Sequence, residues 1–386
     1  MIIVDADAHV MEGEVTWDCL DPAYRRFRPL ALPLEEDTYY GRFNAVWLIE
    51  GKVYPKMAGR GLYIFATPPT SALARSKTVT IGAQTMADVP ARLADMDQLG
   101  IDVQVVLPTL FLAALTDDLG LEKALCQAYN RFMGEACAQS NGRIRYVAVL
   151  PLRDIAASLE VLREARDLGA VGAFTQGLVW DHDLGDMCFY PLYEELSRLG
   201  IPLVVHFGRG SPSLNNVFTE PIPSSFSSAA LPVVMAFYSL MATGVYERFP
   251  HLKTAFLEAG CGWLPYVVTR LESRYAQGFF PAARRRPSEY LASGNIYVAC
   301  EEDEDIPYVL KYVGEGQLVA ASDYPHTDDS HEEHMVEGFQ RRGDLAPALV
   351  EKILSLNPLR LYDLDASSLA TATAPPRETV GVRGEK

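Results

Sequence analysis

The sequence predicts an α/β fold, a (β/α)8 TIM barrel with a long insertion after its first strand. Short apolar runs alternate with longer amphipathic stretches along the 386 residues, and the alternation yields eight strand and helix pairs. Strands with nearly continuous apolar sequence are typical of parallel sheets covered by helices on both faces. No glycine-rich phosphate turn follows any of these strands, so we favour a closed barrel over an open, doubly wound sheet.

The strands are predicted at the short apolar runs. These runs are residues 2–10, 101–108, 144–150, 170–175, 201–207, 252–258, 295–300 and 319–322. The helices are predicted at the amphipathic stretches between them, residues 86–99, 117–139, 155–168, 190–199, 229–248, 263–277, 306–313 and 346–356. The first of these helices has a start signal in Asp88-Val89-Pro90 and a stop signal in Gly100.

The barrel is expected to fill residues 1–364 as one domain. Residues 11–85 form the insertion, which has no clear regular period and is rich in aromatic side chains. A connection of that length is uncommon unless it is a lid or a binding element, and the alternative is a subdomain that only packs on the barrel. Together with the loop 208–228, it is expected to form an apolar cover for a bulky substrate. Residues 365–386 are expected to be a disordered tail.

Composition narrows the classes of partner. The chain is 49% hydrophobic with a net charge of −16 and a pI near 4.9, which argues against nucleic acid and anionic membranes as partners. No apolar run approaches the roughly 20 residues that span a bilayer, and no signal peptide is recognisable. We expect a cytoplasmic protein, and a homo-oligomer is compatible with the sequence. The six cysteines lack CxxC spacing, which predicts free thiols, mostly buried.

The first strand carries an unusual set of polar residues. Asp5, Asp7 and His9 alternate along it and are therefore expected to share one face. Two carboxylates and an imidazole buried together repel and are poorly solvated without a cation, so we favour a metal site. The alternative is a surface strand with a solvated acidic face.

Further polar residues stand where other strands end. His206 closes the fifth strand, Glu258 the sixth, and Asp323 and His326 follow the eighth, so that three of the seven histidines lie at strand ends. Because the carboxyl ends of barrel strands meet at one face, these side chains are expected to converge on a metal. Glu12 is a further candidate ligand.

The polar motifs at the strand ends resemble those of a known enzyme superfamily. The Asp7-x-His9 pair, His206 and the run Ser322-Asp323-Tyr324-Pro325-His326 resemble the amidohydrolase superfamily, in its amidohydrolase-related branch that includes metal-dependent decarboxylases. The likeness spans most of residues 1–360. It implies that Asp7, His9, His206 and Asp323 bind the metal.

Two positions depart from that family. Asp7 stands where the family has its first histidine, and Glu258 where many members have a histidine on strand six. Both changes replace imidazole by carboxylate, which makes the donor set harder and favours iron or manganese over zinc. Glu258 can then bridge two cations, as carboxylates do in di-iron proteins, or orient His206 instead. For His326, stacking or capping is the alternative to ligation.

The carboxylate-rich set also resembles a subgroup of the same barrels in which two non-haem irons activate dioxygen on substrates that are often linked to coenzyme A. This resemblance implies a di-iron monooxygenase that needs dioxygen and an electron donor, with Glu258 and His326 as catalytic residues.

Two basic clusters are compatible with a substrate linked to coenzyme A. Arg284, Arg285 and Arg286 form one of them, and they are candidates to hold the phosphates of an acyl-CoA. The second cluster, with arginines at 25, 26 and 28, lies in the insertion. The alternative for both clusters is a solvated loop.

Two other functions are left open. In one, a single metal such as zinc or manganese serves a decarboxylase or hydrolase acting on an aromatic or unsaturated acid. In that case Glu258 has to fill the acid/base role of the missing histidine. In the other, the barrel is a metal or ligand binder without catalysis.

Overall fold

The fold was analysed in a computed structural model that describes residues 1–34, 45–56, 59–62, 66–69, 79–220, 225–326 and 334–370. Its strands are β1 (Val4–Val10), β2 (Leu30–Pro33), β3 (Ala45–Ile49), β4 (Lys52–Tyr54), β5 (Val103–Pro108), β6 (Ile144–Ala148), β7 (Gly172–Gln176), β8 (Leu178–Val179), β9 (His182–Asp183), β10 (Leu203–His206), β11 (Thr254–Phe256), β12 (Ile296–Cys300) and β13 (Leu318–Ala320).

Eight of these strands form the barrel. They run parallel in the order β1, β5, β6, β7, β10, β11, β12, β13, and each lies within a strand predicted from the sequence or within two residues of its ends. The strands are almost wholly buried because helices cover their outer face. The predicted (β/α)8 barrel is therefore confirmed.

Helices connect the strands. They cover Ile81–Gln84, Val89–Leu99, Leu119–Ala138, Ile155–Asp167, Tyr190–Leu199, Pro212–Asn215, Leu231–Ala242, Val245–Arg248, Leu264–Ala276, Pro287–Leu291, Ile306–Val309, Met335–Arg341, Pro347–Glu351, Asn357–Leu361 and Ala366–Ala370. Asp88 caps the helix Val89–Leu99, because its carboxylate accepts the Ala91 N–H at 3.0 Å. Gly100 ends that helix with a φ of 74°.

One predicted helix is divided in two. Residues 229–248 were expected to form a single helix, but Leu231–Ala242 ends at Thr243 and Val245–Arg248 begins after Gly244. Gly244 has a φ of 80°, in the left-handed region where a helix cannot continue. A π turn at Phe226–Ala230 precedes the first of the two.

The last barrel strand meets the first through backbone bonds. The Asp323 N–H donates to the Asp7 carbonyl at 3.0 Å, and the His9 N–H donates to the Tyr324 carbonyl at 2.5 Å. The pairing of β1 with β5 shifts register between Asp5 and Ala8. A shift of this kind re-aims the side chains that follow it.

Asp5 stabilises the junction between the first and last barrel strands and is not among the grouped candidate metal ligands. Its buried carboxylate accepts the Ser322 N–H at 3.0 Å, the Ser322 hydroxyl at 2.6 Å and the Gln104 side-chain amide at 3.0 Å. Arg92 is fully buried beside them and donates to Gln104 at 2.7 Å and to the His9 carbonyl at 3.0 Å. The expectation that Asp5 shares the site of Asp7 and His9 is therefore corrected, because the register shift separates them.

The insertion contains more regular structure than its sequence indicated. Strands β2, β3 and β4 form an antiparallel sheet within it, and the buried rings of Trp17 and Trp47 pack edge to face at 6.3 Å. Several of its other aromatic residues, such as Tyr39, Tyr63 and Phe65, lie outside the described residues.

The segment 365–386, which was expected to be disordered, contains a short helix at Ala366–Ala370. Residues 371–386 lie outside the described part of the chain.

The six cysteines are free thiols, as predicted from their spacing. Cys126, Cys261 and Cys300 are buried, and Cys188 is exposed. In the described ranges, every helix is too short or too polar to span a bilayer.

Candidate metal centre

The predicted ligands converge at the carboxyl end of the barrel. Asp7 and His9 belong to β1, His206 is the last residue of β10, and Glu258 and Asp323 follow β11 and β13. Their side chains are between 0% and 6% exposed. Ligand atoms of Asp7, His9 and His206 lie within 4.8 Å of one another, and so do those of His9, Asp323 and His326.

His9 stands at the middle of this set. Its Nε2 atom lies 3.4 Å from Asp7 Oδ1, 3.2 Å from His206 Nε2 and 3.3 Å from Asp323 Oδ1. Glu258 joins on the far side of His206, with Oε2 3.0 Å from His206 Nε2. The ligand atoms of four strands therefore surround one small volume.

The two imidazoles are oriented by backbone carbonyls. His9 Nδ1 lies 3.0 Å from the Pro108 carbonyl, and His206 Nδ1 lies 2.8 Å from the Phe207 carbonyl. Because a carbonyl oxygen only accepts, each Nδ1 carries a hydrogen, and each ring turns its Nε2 toward the centre. The two Nε2 atoms lie 3.2 Å apart, and two lone pairs at that distance repel unless a proton or a metal cation lies between them. A divalent cation can take the place of such a proton.

The carboxylates complete a donor set that fits a divalent metal. Asp7 Oδ1 is buried and has no hydrogen-bond donor within the described residues. Burial of a carboxylate oxygen without a donor is costly unless a cation is bound. Oxygen and imidazole donors in this proportion suit manganese or iron.

The pKa values at the centre are shifted in opposite directions. Burial would raise the pKa of Asp7, but the charge and hydrogen bonding of His206 outweigh it and leave that pKa below its ordinary value. Burial would lower the pKa of His206, but the carboxylates of Asp7 and Glu258 hold that pKa well above its ordinary value. For His9, burial and the neighbouring His326 lower the pKa to about 3. The cluster thus attracts positive charge to the position between its members.

His326 lies at the edge of the centre. Its ring stacks on His9 with centroids 4.2 Å apart, and its Nδ1 is 2.7 Å from Asp323 Oδ1. Its Nε2 is 2.9 Å from the Thr109 hydroxyl. The geometry places His326 beside the other ligands, and its role as a ligand or catalytic group stays a prediction.

The sequence reasoning missed Glu304. Glu258 has a φ of 50°, in the left-handed region that non-glycine residues rarely adopt. The carboxylate of Glu304 accepts the N–H groups of Cys261 and Gly262, each at 2.7 Å, and of Glu301 at 2.9 Å. Glu304 therefore joins the loop that presents Glu258 to the end of β12. Its only sequence signal was an acidic residue three positions after Glu301.

Glu12, a further candidate ligand, binds the backbone of the loop after β5. Its buried carboxylate accepts the N–H groups of Thr109 at 3.2 Å and Leu110 at 2.7 Å, and burial raises its pKa to about 8. It thereby fixes the start of the loop after β5, which also carries the Thr109 hydroxyl that faces His326.

Arg284, Arg285 and Arg286 lie away from this face. They belong to the connection between the helix Leu264–Ala276 and β12, which is at the amino ends of the barrel strands. The candidate metal centre lies at the opposite, carboxyl ends. The three arginines therefore do not join the candidate site, contrary to the expectation that they hold part of its substrate.

Each of these arginines has a local structural contact. The Arg284 carbonyl accepts the Tyr275 hydroxyl at 2.9 Å, and Arg285 Nε is 3.4 Å from Glu247 Oε2. The Arg286 N–H donates to the Glu289 carboxylate at 2.6 Å, at the start of the helix Pro287–Leu291. The side chains of Arg284 and Arg286 are exposed and that of Arg285 is half-buried. Phosphate binding by this cluster stays a prediction, at a place remote from the metal centre.

A cavity lies on the same face as the centre. Its volume is about 240 Å³, and Tyr54 of the insertion, Trp180 and Arg209 contribute to its wall. The insertion is bound to the neighbouring loops, because Tyr54 donates to the Leu115 carbonyl at 2.9 Å and Arg209 donates to the Leu62 carbonyl at 2.7 Å. The insertion therefore lies over the loops that follow β5 and β10.

Comparison with known proteins identifies similar chains. The family model described as "Amidohydrolase" matches residues 4–364. The chain is 25% identical over 292 residues to gamma-resorcylate decarboxylase from Rhizobium sp. (strain MTP-10005), covering 72% of this chain and 87% of the relative. An amidohydrolase from Mycobacterium avium subsp. paratuberculosis K-10 has a similar solved structure, with a TM-score of 0.74 at 19% identity and coverage of 95% and 99%.

A further solved structure carries a metal and a ligand. It is 5-carboxyvanillate decarboxylase from Novosphingobium aromaticivorans DSM 12444, complexed with manganese and 4-hydroxy-3-methoxy-5-nitrobenzoic acid. It has a TM-score of 0.63 at 21% identity and covers 76% of this chain and 85% of that one.

The expectation of a di-iron monooxygenase is wrong. The gamma-resorcylate and 5-carboxyvanillate relatives are decarboxylases, and the latter was solved with manganese and an aromatic acid. A carboxylate in place of imidazole makes a site harder, but hardness does not distinguish iron from manganese. The iron pair, dioxygen, the electron donor and a CoA-linked substrate therefore have no support.

Replacing Glu258 tests its place at the centre. Glu258→Gln keeps the shape of the side chain but removes the charge that faces His206, so the manganese bound per chain at limiting metal should fall about 10-fold or more. Elemental analysis after equilibrium dialysis measures it. Glu301→Gln, at the end of the neighbouring strand, is the matched control and should keep its metal. Equal metal content in both variants would remove Glu258 from the site.

Glu304 gives a second test. Glu304→Gln weakens an acceptor of three backbone N–H groups, so the loop that carries Glu258 should loosen and the Kd for manganese should rise roughly 10-fold. Glu315→Gln, an exposed change on another loop, is the control. A Glu304→Gln protein with the manganese Kd of the unchanged chain would contradict the positioning role.

Proposed function

The chain belongs to the amidohydrolase family, and on that premise we propose that it is a metal-dependent decarboxylase of an aromatic or unsaturated acid. The proposed reaction is the release of carbon dioxide instead of oxygenation. The decarboxylase relatives support it, as does the bound aromatic acid of one solved neighbour. A small-molecule acid is accordingly the proposed substrate.

The observation that carries the proposal is the set of ligand atoms around His9. Two groups of three candidate ligands are present. One is Asp7, His9 and His206, the other is His9, Asp323 and His326, and His9 belongs to both. Because the two groups share this one imidazole, a single divalent ion held by Asp7, His9, His206 and Asp323 accounts for both of them and leaves His326 beside it. Manganese fits the hard oxygen and nitrogen donors of this set. Such an ion supplies Lewis acidity toward the oxygens of a bound acid.

The residues of the chain have to bring one proton to the substrate. Decarboxylation breaks the bond between a carbon atom and its carboxylate, carbon dioxide leaves, and the same carbon takes up a proton. His326 is placed for this transfer, since its Nδ1 faces Asp323 at 2.7 Å and its Nε2 faces the Thr109 hydroxyl at 2.9 Å. We assign His326 as the group that holds the proton on Nδ1, and Glu258 as the carboxylate that fixes His206.

The insertion is proposed to cover the bound acid. Its contacts with the loops after β5 and β10 lie at the carboxyl face, around the cavity of about 240 Å³. A cover excludes water, which strengthens electrostatic interactions within the site. The insertion thus has the position of a lid.

Substrate turnover tests the function directly. Manganese-loaded protein incubated with hydroxylated benzoic acids, including 2,6-dihydroxybenzoate and 5-carboxyvanillate, should release one carbon dioxide per acid consumed and take up no oxygen. In deuterated water the product should gain one deuterium at the carbon that lost its carboxylate. Chelated protein is the control and should be inactive. Oxygen uptake coupled to turnover, or no release of carbon dioxide from any acid at full metal occupancy, would contradict the proposal.

A test of the proposed role of His326 requires a variant that still binds the metal. His326→Gln preserves a hydrogen-bonding side chain but cannot supply the proton, so kcat should fall about 100-fold or more while manganese content changes little. A parallel loss of manganese would show instead that His326 is chiefly a ligand.

A further inference from the structure

A second group of metal-binding side chains lies outside the barrel centre. His182, Asp186 and Cys188 each offer one ligand atom, and these atoms lie within 4.8 Å of one another. His182 and Cys188 are exposed and Asp186 is half-buried. The group is in the loop between β7 and the helix Tyr190–Leu199.

Local structure sets the positions of the three side chains. The two-residue turn Trp180-Asp181 between β8 and β9 has φ values of 47° and 66° and directs the chain back at His182. His182 Nδ1 lies 3.0 Å from Asp186 Oδ2. Asp186 in turn accepts the Cys188 N–H on its other oxygen, also at 3.0 Å. The central carboxylate is therefore oriented toward both neighbours by separate bonds.

The same hairpin is anchored to the rest of the molecule. Asp181 accepts the N–H of Ser213 at 3.1 Å and its hydroxyl at 2.6 Å. Asp183 accepts the Gly185 N–H at 2.8 Å and also the Ser239 hydroxyl. These bonds connect the hairpin to the loop after β10 and to the helix Leu231–Ala242. A ligand set on a fixed backbone loses little freedom when an ion binds.

The chemistry of the three donors selects a soft divalent ion. Without a metal, Asp186 contacts both neighbours, because its carboxylate pairs with His182 and hydrogen-bonds to the Cys188 thiol. A metal ion would take the place of the proton in each of these contacts. Imidazole, thiolate and carboxylate are the ligands of zinc, whereas manganese and calcium rarely bind sulfur. The net charge of −16 also raises the local concentration of cations.

We propose that His182, Asp186 and Cys188 bind one zinc-class divalent ion at the protein surface, with the fourth position open to water. Binding releases the thiol proton of Cys188 to solvent. The ion joins the β8–β9 hairpin to the turn Met187–Phe189, and Trp180 of that hairpin lines the cavity of about 240 Å³. The site therefore fixes one wall of the cavity and is independent of the metal centre.

Cobalt is the probe that separates the two sites. The centre has only nitrogen and oxygen donors among the described residues, so a thiolate-to-cobalt absorption band can arise only where cobalt meets a cysteine. Full-length protein preloaded with manganese and titrated with cobalt(II) should develop this band with one equivalent per chain. Cys188→Ser should abolish the band, and His182→Ala should weaken cobalt binding about 10-fold or more.

Matched variants assign the band to this cluster and to no other cysteine. Cys19→Ser, a change at a partly exposed cysteine outside the cluster, should keep the band, and so should Glu258→Gln, which alters only the centre. Circular dichroism confirms that each variant is folded. Saturation with cobalt without a thiolate band, or a band that persists in Cys188→Ser, would overturn the proposal.

Discussion

The crowding of buried donor atoms at the carboxyl end of the barrel is the constraint on which the rest of the site depends. Two imidazole Nε2 atoms face each other at 3.2 Å, with three carboxylates around them. In a medium of low dielectric such a set needs positive charge in its middle, either the proton that the raised pKa of His206 indicates or a metal cation. The backbone bonds between the first and last barrel strands, Asp323 to Asp7 and His9 to Tyr324, involve three of the residues that carry these donors. The contacts that close the barrel therefore also set the positions of Asp7, His9 and Asp323.

A buried polar network lies beside the junction between the first and last barrel strands. Asp5, Ser322, Gln104 and Arg92 are hydrogen-bonded to one another and have almost no exposed surface. Removing one member would leave the atoms bonded to it buried without that partner, at a cost of about 1–3 kcal/mol for each such group. Arg92 also donates to the His9 carbonyl. The network thereby holds the strand that carries Asp7 and His9 against the neighbouring parts of the barrel.

The fold and most of the candidate site were predictable because both follow from periodicity. Parallel strands bring their carboxyl ends to one face, so Asp7, His9, His206, Glu258 and Asp323 could be grouped without any knowledge of distance. Asp5 was misplaced because a register shift is invisible in an alternating sequence. Glu304 was missed because it acts on backbone N–H groups of a distant loop. The oxygenase was inferred from the carboxylate-rich donor set and its resemblance to a di-iron subgroup, but such a hard donor set is compatible with several metals.

Two candidate ligands, Glu258 and Asp323, have strained backbones, and several hydrogen bonds hold them in place. Glu258 and Asp323 both have left-handed backbones, with φ of 50° and 54°, and such conformations cost of order 1–3 kcal/mol each. The hydrogen bonds of Glu304 offset that cost on one loop, and the bond from the Asp323 N–H to the Asp7 carbonyl offsets it on the other. The strain is present in the folded protein before any ion binds. The carboxylates are thus aimed at the centre in advance, so that an arriving cation meets a set of donors that need not reorganise.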